Sequence, residues 1–528
     1  MTGVAILLLA AAIAFGITRW TRLPAIPLLL LAGIGLQALA RWRGVDIPQE
    51  TLSEMIEIGL AVLVFVAGID LSPRRMRGRV RPIVSLACFQ FALLGLIGFG
   101  AAFGLGYDLS TSLYLSCALA ASSTLVVVNQ LQSRRQMFEP YGRLVLGVLL
   151  LQDFFIIVLM VLLLKAPDGV MPTVAGLGGM LFLGLLAWGI HRWGVPRVCH
   201  RFDLDPEELL IGALSLLFLF GGLAHFLELP FVVGAFLAGF ALSAFPINGL
   251  VRGMLASLSS FFLSLFFLGI GMILVFPGAE MLLHGLIFIV VLVLATVILV
   301  TVVGESLGYS TRASLESGLL LSQTSEFSLV IALAGVAAGS ISPEFFSLIA
   351  LITVGTMTIT PLIARENVAW ALMKIHPRYH GGEPLTDELR DHVVILGLGR
   401  SGRRLLKLFQ EQAIPVVVID DDAAVIRMLI EEEVPCIQGD GSDPRMLERA
   451  YAPQARLVIC SMRRTRDALT ALEYLKESSA KVMVRTFEEA DRKMVERMGA
   501  LVIPSAEAAA DQFLEWFAAN AGNLLTRS

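Results

Sequence analysis

The sequence predicts a polytopic α-helical membrane domain, with inverted repeats and interrupted helices, followed by a C-terminal α/β Rossmann-like domain. Three observations carry this. Of the 528 residues, 56% are hydrophobic and only 16% charged, with a mean hydropathy of +0.78; an ordinary soluble domain carries about 25% charge. Long apolar runs dominate up to about residue 365, and Asp, Glu, Lys and Arg become frequent after it. Past that step, the apolar tetrad Val393–Leu396 leads directly into Gly397-Leu398-Gly399-Arg400-Ser401-Gly402, in the order strand, glycine turn, helix.

The apolar part divides into about 13 segments long enough to cross a bilayer, each needing roughly 20 residues. They fall near 3–20, 24–40, 55–72, 82–106, 110–131, 143–165, 171–193, 207–226, 230–246, 255–276, 281–307, 314–338 and 343–364. The apolar stretch Met1–Ala14 has no basic lead and no clear cleavage site, so it reads as a retained first helix. The basic run Arg74-Arg75-Met76-Arg77-Gly78-Arg79 marks a cytoplasmic loop. Alternation then puts Arg134 and Arg135, the stretch 191–201, Arg252 and Arg312 inside. It leaves the N-terminus outside and the C-terminus inside. Arg41 and Arg43 fall outside against the rule, accompanied by Asp46 and Glu50.

Polar residues inside apolar segments are the candidate site, because an acid at mid-helix costs about 2.5–3.5 kcal/mol on insertion scales. Gln152-Asp153 is the strongest such signal. Asp153 could take a cation when ionised and a proton when neutral. Ser122-Ser123-Thr124 offers hydroxyls at a helix break, and Glu326 is a second acid that either lines a pathway or caps a helix end. Ser123 and Asp153 lie 30 residues apart, as do Ser325 and Gly355 in a stretch of opposite expected orientation. Such spacing is what an inverted repeat produces. Gly234–Gly239 and Phe267–Met272 read as helix-packing devices.

After an amphipathic connector, Glu366–Lys374, and a polar stretch with Gly381-Gly382, strands are expected at 393–396, 416–419, 457–460, 482–484 and 501–503. Helices are expected at 401–412 and 423–433. Alternating strands and helices imply a parallel doubly wound sheet. Gly397, Gly399, Arg400 and Gly402 form the expected phosphate turn, and Asp420, 18 residues past Gly402, suits a ribose diol and disfavours a 2′-phosphate. No catalytic base or nucleophile accompanies them, so a ligand-sensing domain fits better than an enzyme. The five cysteines and seven histidines show no metal-ligand spacing, and neither a metal cofactor nor a nucleic-acid partner is expected.

Several of these phrases resemble the Kef-type potassium/proton antiporters of the monovalent cation/proton antiporter superfamily. They are Glu57-Ile58-Gly59 through Phe65-Val66-Ala67-Gly68-Ile69-Asp70-Leu71, Ala121–Thr124, Leu150–Asp153, Gly234–Gly239, Phe266–Met272 and Ser325-Glu326-Phe327. Gly397–Gly402, Gly439-Asp440-Gly441 and Val484-Arg485 resemble the nucleotide-binding (RCK, or TrkA-N-like) half of the regulatory domains of potassium transporters and channels. The likeness covers nearly the whole chain. It implies a dimeric elevator-type exchanger of K+, with Na+ second, for H+ in a bacterial-type inner membrane, surrounded by lipid and open to an ancillary subunit. It implies an exchanger domain over 1–365, a cytoplasmic linker over 366–390 and a nucleotide-binding domain over 391–528. Gln152 and Asp153, with Ser122, Ser123, Thr124 and Glu326, would form the ion site. NAD(H) or an adenosine phosphate (AMP or ATP) would bind at Gly397, Gly399, Arg400, Gly402, Asp420 and Asp440 and gate transport. Two departures matter. The family's usual lysine before the Ser-Glu-Phe segment is Thr296 here, and the family's longer C-terminal extension is short or absent, so glutathione gating is not implied. A gated channel is the rival reading. A selectivity filter would need a run such as TVGYG, and Thr353-Val354-Gly355-Thr356 continues as Met357-Thr358.

Overall fold

The computed structural model describes residues 2–21, 25–43, 49–71, 80–134, 136–137, 140–201, 205–244, 247–275, 278–376, 389–462, 464–486 and 489–504. The basic run 74–79, Arg135 and Gly381-Gly382 lie outside them. The chain forms two units. One is Met1–Val303 with Leu315–Ala369, and the other is Gly304–Ser314 with Trp370–Ser528.

The first unit is helical. Its elements are α1 (Thr2–Thr21), α2 (Ala25–Arg43), α3 (Gln49–Asp70), α4 (Val80–Gly104), α5 (Leu109–Leu119), α6 (Thr124–Ser133), α7 (Pro140–Lys165) and α8 (Val170–Gly189). There follow α9 (Val195–Arg201), α10 (Pro206–Phe226), α11 (Phe231–Ala241), α12 (Ile247–Ile273), α13 (Ala279–Ser306), α14 (Thr311–Leu321), α15 (Phe327–Ala337) and α16 (Pro343–Ile363). Among the described residues, eight helical stretches are long and apolar enough to cross a membrane by length and composition. The other expected segments fall on shorter apolar helices, such as Phe231–Ala241 and Phe327–Ala337, or on α3, which carries Glu54, Glu57 and Asp70.

Two of the expected spans are not continuous helices. The segment 110–131 breaks after α5 and restarts at α6, where the Ser123 hydroxyl caps the new helix by accepting the Val126 amide at 3.3 Å. The segment 314–338 breaks between α14 and α15, where the Ser325 hydroxyl accepts the Phe327 amide at 3.2 Å. Serine and threonine compete with the backbone for its own hydrogen bonds, so a cluster of them ends one helix and caps the next.

Glycines set the closest helix contacts. A Cβ on Gly68 of α3 would lie 2.1 Å from the Phe236 carbonyl oxygen of α11, and one on Gly239 would lie 2.0 Å from the Phe65 carbonyl oxygen. The same reciprocal fit joins α2 and α12, where a Cβ on Gly33 or Gly271 would lie 2.3 Å from the Leu268 or Leu30 carbonyl oxygen. These four helices therefore meet backbone to backbone, which only small residues permit.

The second unit has a six-stranded parallel sheet in the order β3-β2-β1-β4-β5-β6. The strands are β1 (Val393–Leu396), β2 (Val416–Asp420), β3 (Cys436–Gln438), β4 (Leu457–Cys460), β5 (Lys481–Thr486) and β6 (Leu501–Pro504). The β3 strand has no apolar run to announce it; it exists by pairing with β2. Alternate side chains of β1 enter different cores. Val394 and Leu396 pack with Leu447, Ala471 and Val495, while Val393 and Ile395 pack with Leu406 and Leu429. Helices cover both faces, so the strands are buried on both sides and read as continuous apolar tetrads.

Replacing Gly271 by Ala should separate α2 from α12 and cost about 1–3 kcal/mol, the usual effect of overpacking. A Cβ on Gly184 of α8 would meet nothing within 4 Å, so Gly184→Ala should keep or raise the melting temperature. Thermal unfolding of both variants in detergent checks this, and equal melting points would contradict it.

Candidate functional site: a helix crossing and a glycine-turn pocket

The two broken helices are tied to each other. Ser122, in the gap before α6, donates its hydroxyl hydrogen to the Leu321 carbonyl at the end of α14, at 2.7 Å. The reciprocal bond runs from the Ser328 hydroxyl to the Ala118 carbonyl. Each break is also served by the helix that follows it. On α7, Gln152 Oε1 accepts the Ser122 amide at 3.1 Å. On α16, Thr356 Oγ1 accepts the Thr324 amide at 3.2 Å, and Thr360 Oγ1 donates to the Ser322 carbonyl at 3.1 Å. Backbone groups with no water to bond them must find such partners, since each failure in a bilayer costs several kcal/mol.

Asp153 stands one residue past Gln152 and is 1% exposed. The Thr124 hydroxyl donates to its Oδ2 at 2.9 Å, while Oδ1 has no hydrogen-bond partner. Glu326 faces the start of α6, where the Ser123 hydroxyl and the Leu125 amide reach its carboxylate. That position lets it serve as an anionic cap on a helix N-terminus. Glu326 and Asp70 both lie close enough to act electrostatically on Asp153. Thr296 on α13 is fully buried with no hydrogen-bond partner for its hydroxyl. Among the described residues of this unit, no lysine or arginine is buried. The structure thus brings together Ser122, Ser123, Thr124, Gln152, Asp153 and Glu326, and gives Thr296 no hydrogen bond to any of them. The resulting chemistry is that of oxygen ligands around one carboxylate, able to hold a proton or a monovalent cation.

In the second unit, the glycine turn joins β1 to α17 (Gly399–Glu411). Gly397 and Gly399 have φ of +77° and +44°, where L side chains are strained. A Cβ on Gly402 would stand 3.2 Å from the Gly397 carbonyl oxygen. The turn brings the N-terminus of a helix to the end of β1, the arrangement that suits the phosphates of a nucleotide. Both carboxylate oxygens of Asp420 accept backbone amides, Leu398 at 2.7 Å and Asp422 at 2.9 Å. The acid therefore braces the glycine turn, and burial pushes its carboxyl up. The side chain of Arg400 lies outside the described residues.

Asp440, also expected in this pocket, is engaged by protein groups. Its Oδ2 pairs with Arg312 Nη1 at 2.5 Å, and its Oδ1 accepts the Ser442 amide and hydroxyl. Arg312 also reaches Asp467 at 3.0 Å and lies 5.0 Å over the Trp370 ring. Burial raises the Asp440 carboxyl, but Arg312 and Ser442 outweigh it and hold it below the ordinary range. In the sequence Arg312 shows only as loop charge, and Asp467 and Gln90 carry no motif; their partners come from distant positions. The signal for Gln90 was an uncompensated amide in the apolar run 82–106.

Residues 4–369, well over half of the chain, match the family described as sodium/hydrogen exchanger, transmembrane. The chain belongs to the sodium/hydrogen exchanger family. Residues 393–505 of this exchanger match the TrkA-N domain. Its relatives include the K(+) efflux antiporter 1, chloroplastic, of Arabidopsis thaliana, 27% identical over 429 residues. That match covers 77% of this chain and 36% of the plant protein. The glutathione-regulated potassium-efflux system protein KefC of Salmonella schwarzengrund is 28% identical over 424 residues, covering 78% of this chain and 67% of that one. The fold of the exchanger is shared with the sodium proton antiporter MjNhaP1 from Methanocaldococcus jannaschii, with a TM-score of 0.52 and 18% identity, over 69% of this chain and 98% of that one.

The acid pair around Arg312 makes the stability of the exchanger depend on pH. Burial and the neighbouring Asp440 push the Asp467 carboxyl up to about 7, against the pull of Arg312 and Arg464. An unfolded Asp titrates near about 4. Between those values the folded state holds a proton that the unfolded state has lost. The contribution of Asp467 to stability is therefore greatest below about pH 4, falls as pH rises to about 7 and is flat above. Asp467→Asn should flatten this fall in unfolding midpoint between pH 5 and pH 8. An unchanged slope in thermal melts of the full chain would contradict it.

Proposed function

We propose that this chain exchanges K+ for H+ across a membrane, driving K+ efflux, and that an adenine nucleotide on its TrkA-N unit sets the rate. One observation carries the reading: Asp153 is buried at the crossing of two broken helices, with one oxygen held by Thr124 and the other unpartnered. Proton and cation compete for that carboxylate, so one can leave only as the other arrives, and competition supplies the coupling. The glycine-packed helices α2, α3, α11 and α12 support a rigid frame against which the crossing moves. The names of the relatives support K+ as the cargo, and loop charge supports an outside N-terminus and a cytoplasmic TrkA-N unit. The family likeness supports a homodimer.

The contacts of Glu326 support a structural role, as the anion at the start of α6. With Thr296 at the position where the family resemblance implies a lysine, Asp153 is then the single exchanging group. One proton against one monovalent cation moves no net charge. Asp153→Asn should abolish K+-driven proton flux in proteoliposomes. Glu326→Gln should retain exchange at a reduced rate. The wild type should give no sustained current on solid-supported membranes, while the flux assay confirms transport. Sustained K+-dependent current would overturn the one-for-one scheme, and a flux profile favouring Na+ would replace the cargo.

For the nucleotide, Gly397, Gly399 and Gly402 would hold the phosphates and Asp420 the ribose. A carboxylate at the end of β2 repels a 2′-phosphate. Titration should give tighter binding of NAD(H) or AMP than of NADP(H). The reverse order would remove Asp420 from this role.

A further inference from the structure

Ser122 is held by an amide on each side. Gln152 reaches its backbone amide from α7, and Gln90 Nε2 of α4 reaches its hydroxyl oxygen at 3.1 Å. The donors and acceptors here allow one arrangement. A backbone N–H only donates, so Gln152 must present its oxygen. The single hydroxyl hydrogen of Ser122 goes to the Leu321 carbonyl, which only accepts. Gln90 must therefore present its nitrogen to Ser122. The orientation of both amides is fixed by these partners, and Gln90 Oε1 is the atom left over.

That oxygen is fully buried and has no hydrogen-bond partner. It is one of several. Asp153 Oδ1, Thr296 Oγ1, Gln323 Oε1 and Glu326 Oε2 are also buried without partners in this unit. Buried polar atoms are normally satisfied, and these are oxygens on the helices that form the crossing or pack beside it. Amide and carboxylate oxygens of this kind suit a cation that sheds its water and takes protein oxygens instead. Gln152 Nε2 is also unpartnered and, as a donor, cannot serve as a ligand. The amide that sequence places beside Asp153 is thus turned with its oxygen to the backbone, while the amide on α4 keeps its oxygen free.

We propose that Gln90 supplies an oxygen ligand to the transported cation, its side chain locked for that purpose by Ser122. The proposal rests on the exchanger reading above. Gln90 adds a neutral oxygen, so it contributes coordination without altering the charge balance at Asp153. Its removal should weaken cation binding and leave the proton-carrying carboxylate in place.

The test is cation-driven proton flux in proteoliposomes over a range of K+ and Na+ concentrations, for the wild type, Gln90→Leu and Gln90→Asn. Gln90→Leu should raise the KM for K+ by about tenfold or more, the scale of one lost contact to a charge. It should change the ratio of the K+ and Na+ KM values and keep most of the maximal rate. Unchanged KM values and an unchanged ratio, with or without a lower maximal rate, would make Gln90 a brace for Ser122 only and overturn the proposal. Should Gln90→Leu not fold, Gln90→Asn keeps an amide but withdraws its oxygen by one methylene. The wild type should show a K+-induced rise in unfolding midpoint, and that rise should shrink in this variant. A full wild-type rise would equally overturn the proposal. Failure of the wild type to exchange any cation for protons would instead sink the exchanger reading, which keeps the two results distinct.

Discussion

The membrane unit depends on one constraint: a helix broken inside a bilayer must still satisfy every backbone group it frees. Here the two breaks do so partly for each other. Ser122 bonds the end of α14, and Ser328 bonds the end of α5. Three further groups, the Ser122 and Thr324 amides and the Ser322 carbonyl, are met by side chains from α7 and α16. The crossing is stable because these needs are reciprocal. Each break alone would leave several donors and acceptors exposed to hydrocarbon. The same groups that close the structure also bring polar oxygens into the buried interior of the unit.

The two halves are alike in design and unlike in chemistry. In each, a polar residue about 30 positions on reaches back to the break. In the first half that helix carries Gln152 and then Asp153; in the second it carries Gly355 and Thr356. A hydroxyl can replace an amide as a partner for the backbone, and so both breaks are supported. Only the first half gains a carboxylate at this point. Glu326 lies at the start of α6, with Ser123 and Leu125 on its carboxylate. Two breaks of like design thereby carry unlike side chains.

In the second unit, charge is handled by the same economy. Asp420 fixes the glycine turn through two backbone amides. Arg312 is buried between Asp440 and Asp467 and covered by Trp370. A guanidinium can serve two carboxylates and a ring together because its donors fan out in one plane. Removing any one partner would leave a buried charge only partly compensated.

The sequence by itself determined the class of both units and pointed to Asp153 as the strongest candidate site residue. Composition, the step near residue 365 and a carboxylate deep in an apolar run are local properties, legible without coordinates. The glycine turn and Asp420 were legible for the same reason. The break positions were marked by their serines and threonines, but what each hydroxyl bonds was not, because Ser122 and Leu321 are 199 residues apart. Gln90 looked like one polar residue among apolar ones until Ser122 was beside it. Asp440, expected as a cofactor ligand, is paired with Arg312, 128 positions earlier, a contact that no local pattern announces. The short strand β3 and the orientation of the two amides were likewise decided by tertiary partners. A hydrogen bond depends on which donor and acceptor meet in space, and that pairing, unlike hydropathy, is not written along the chain.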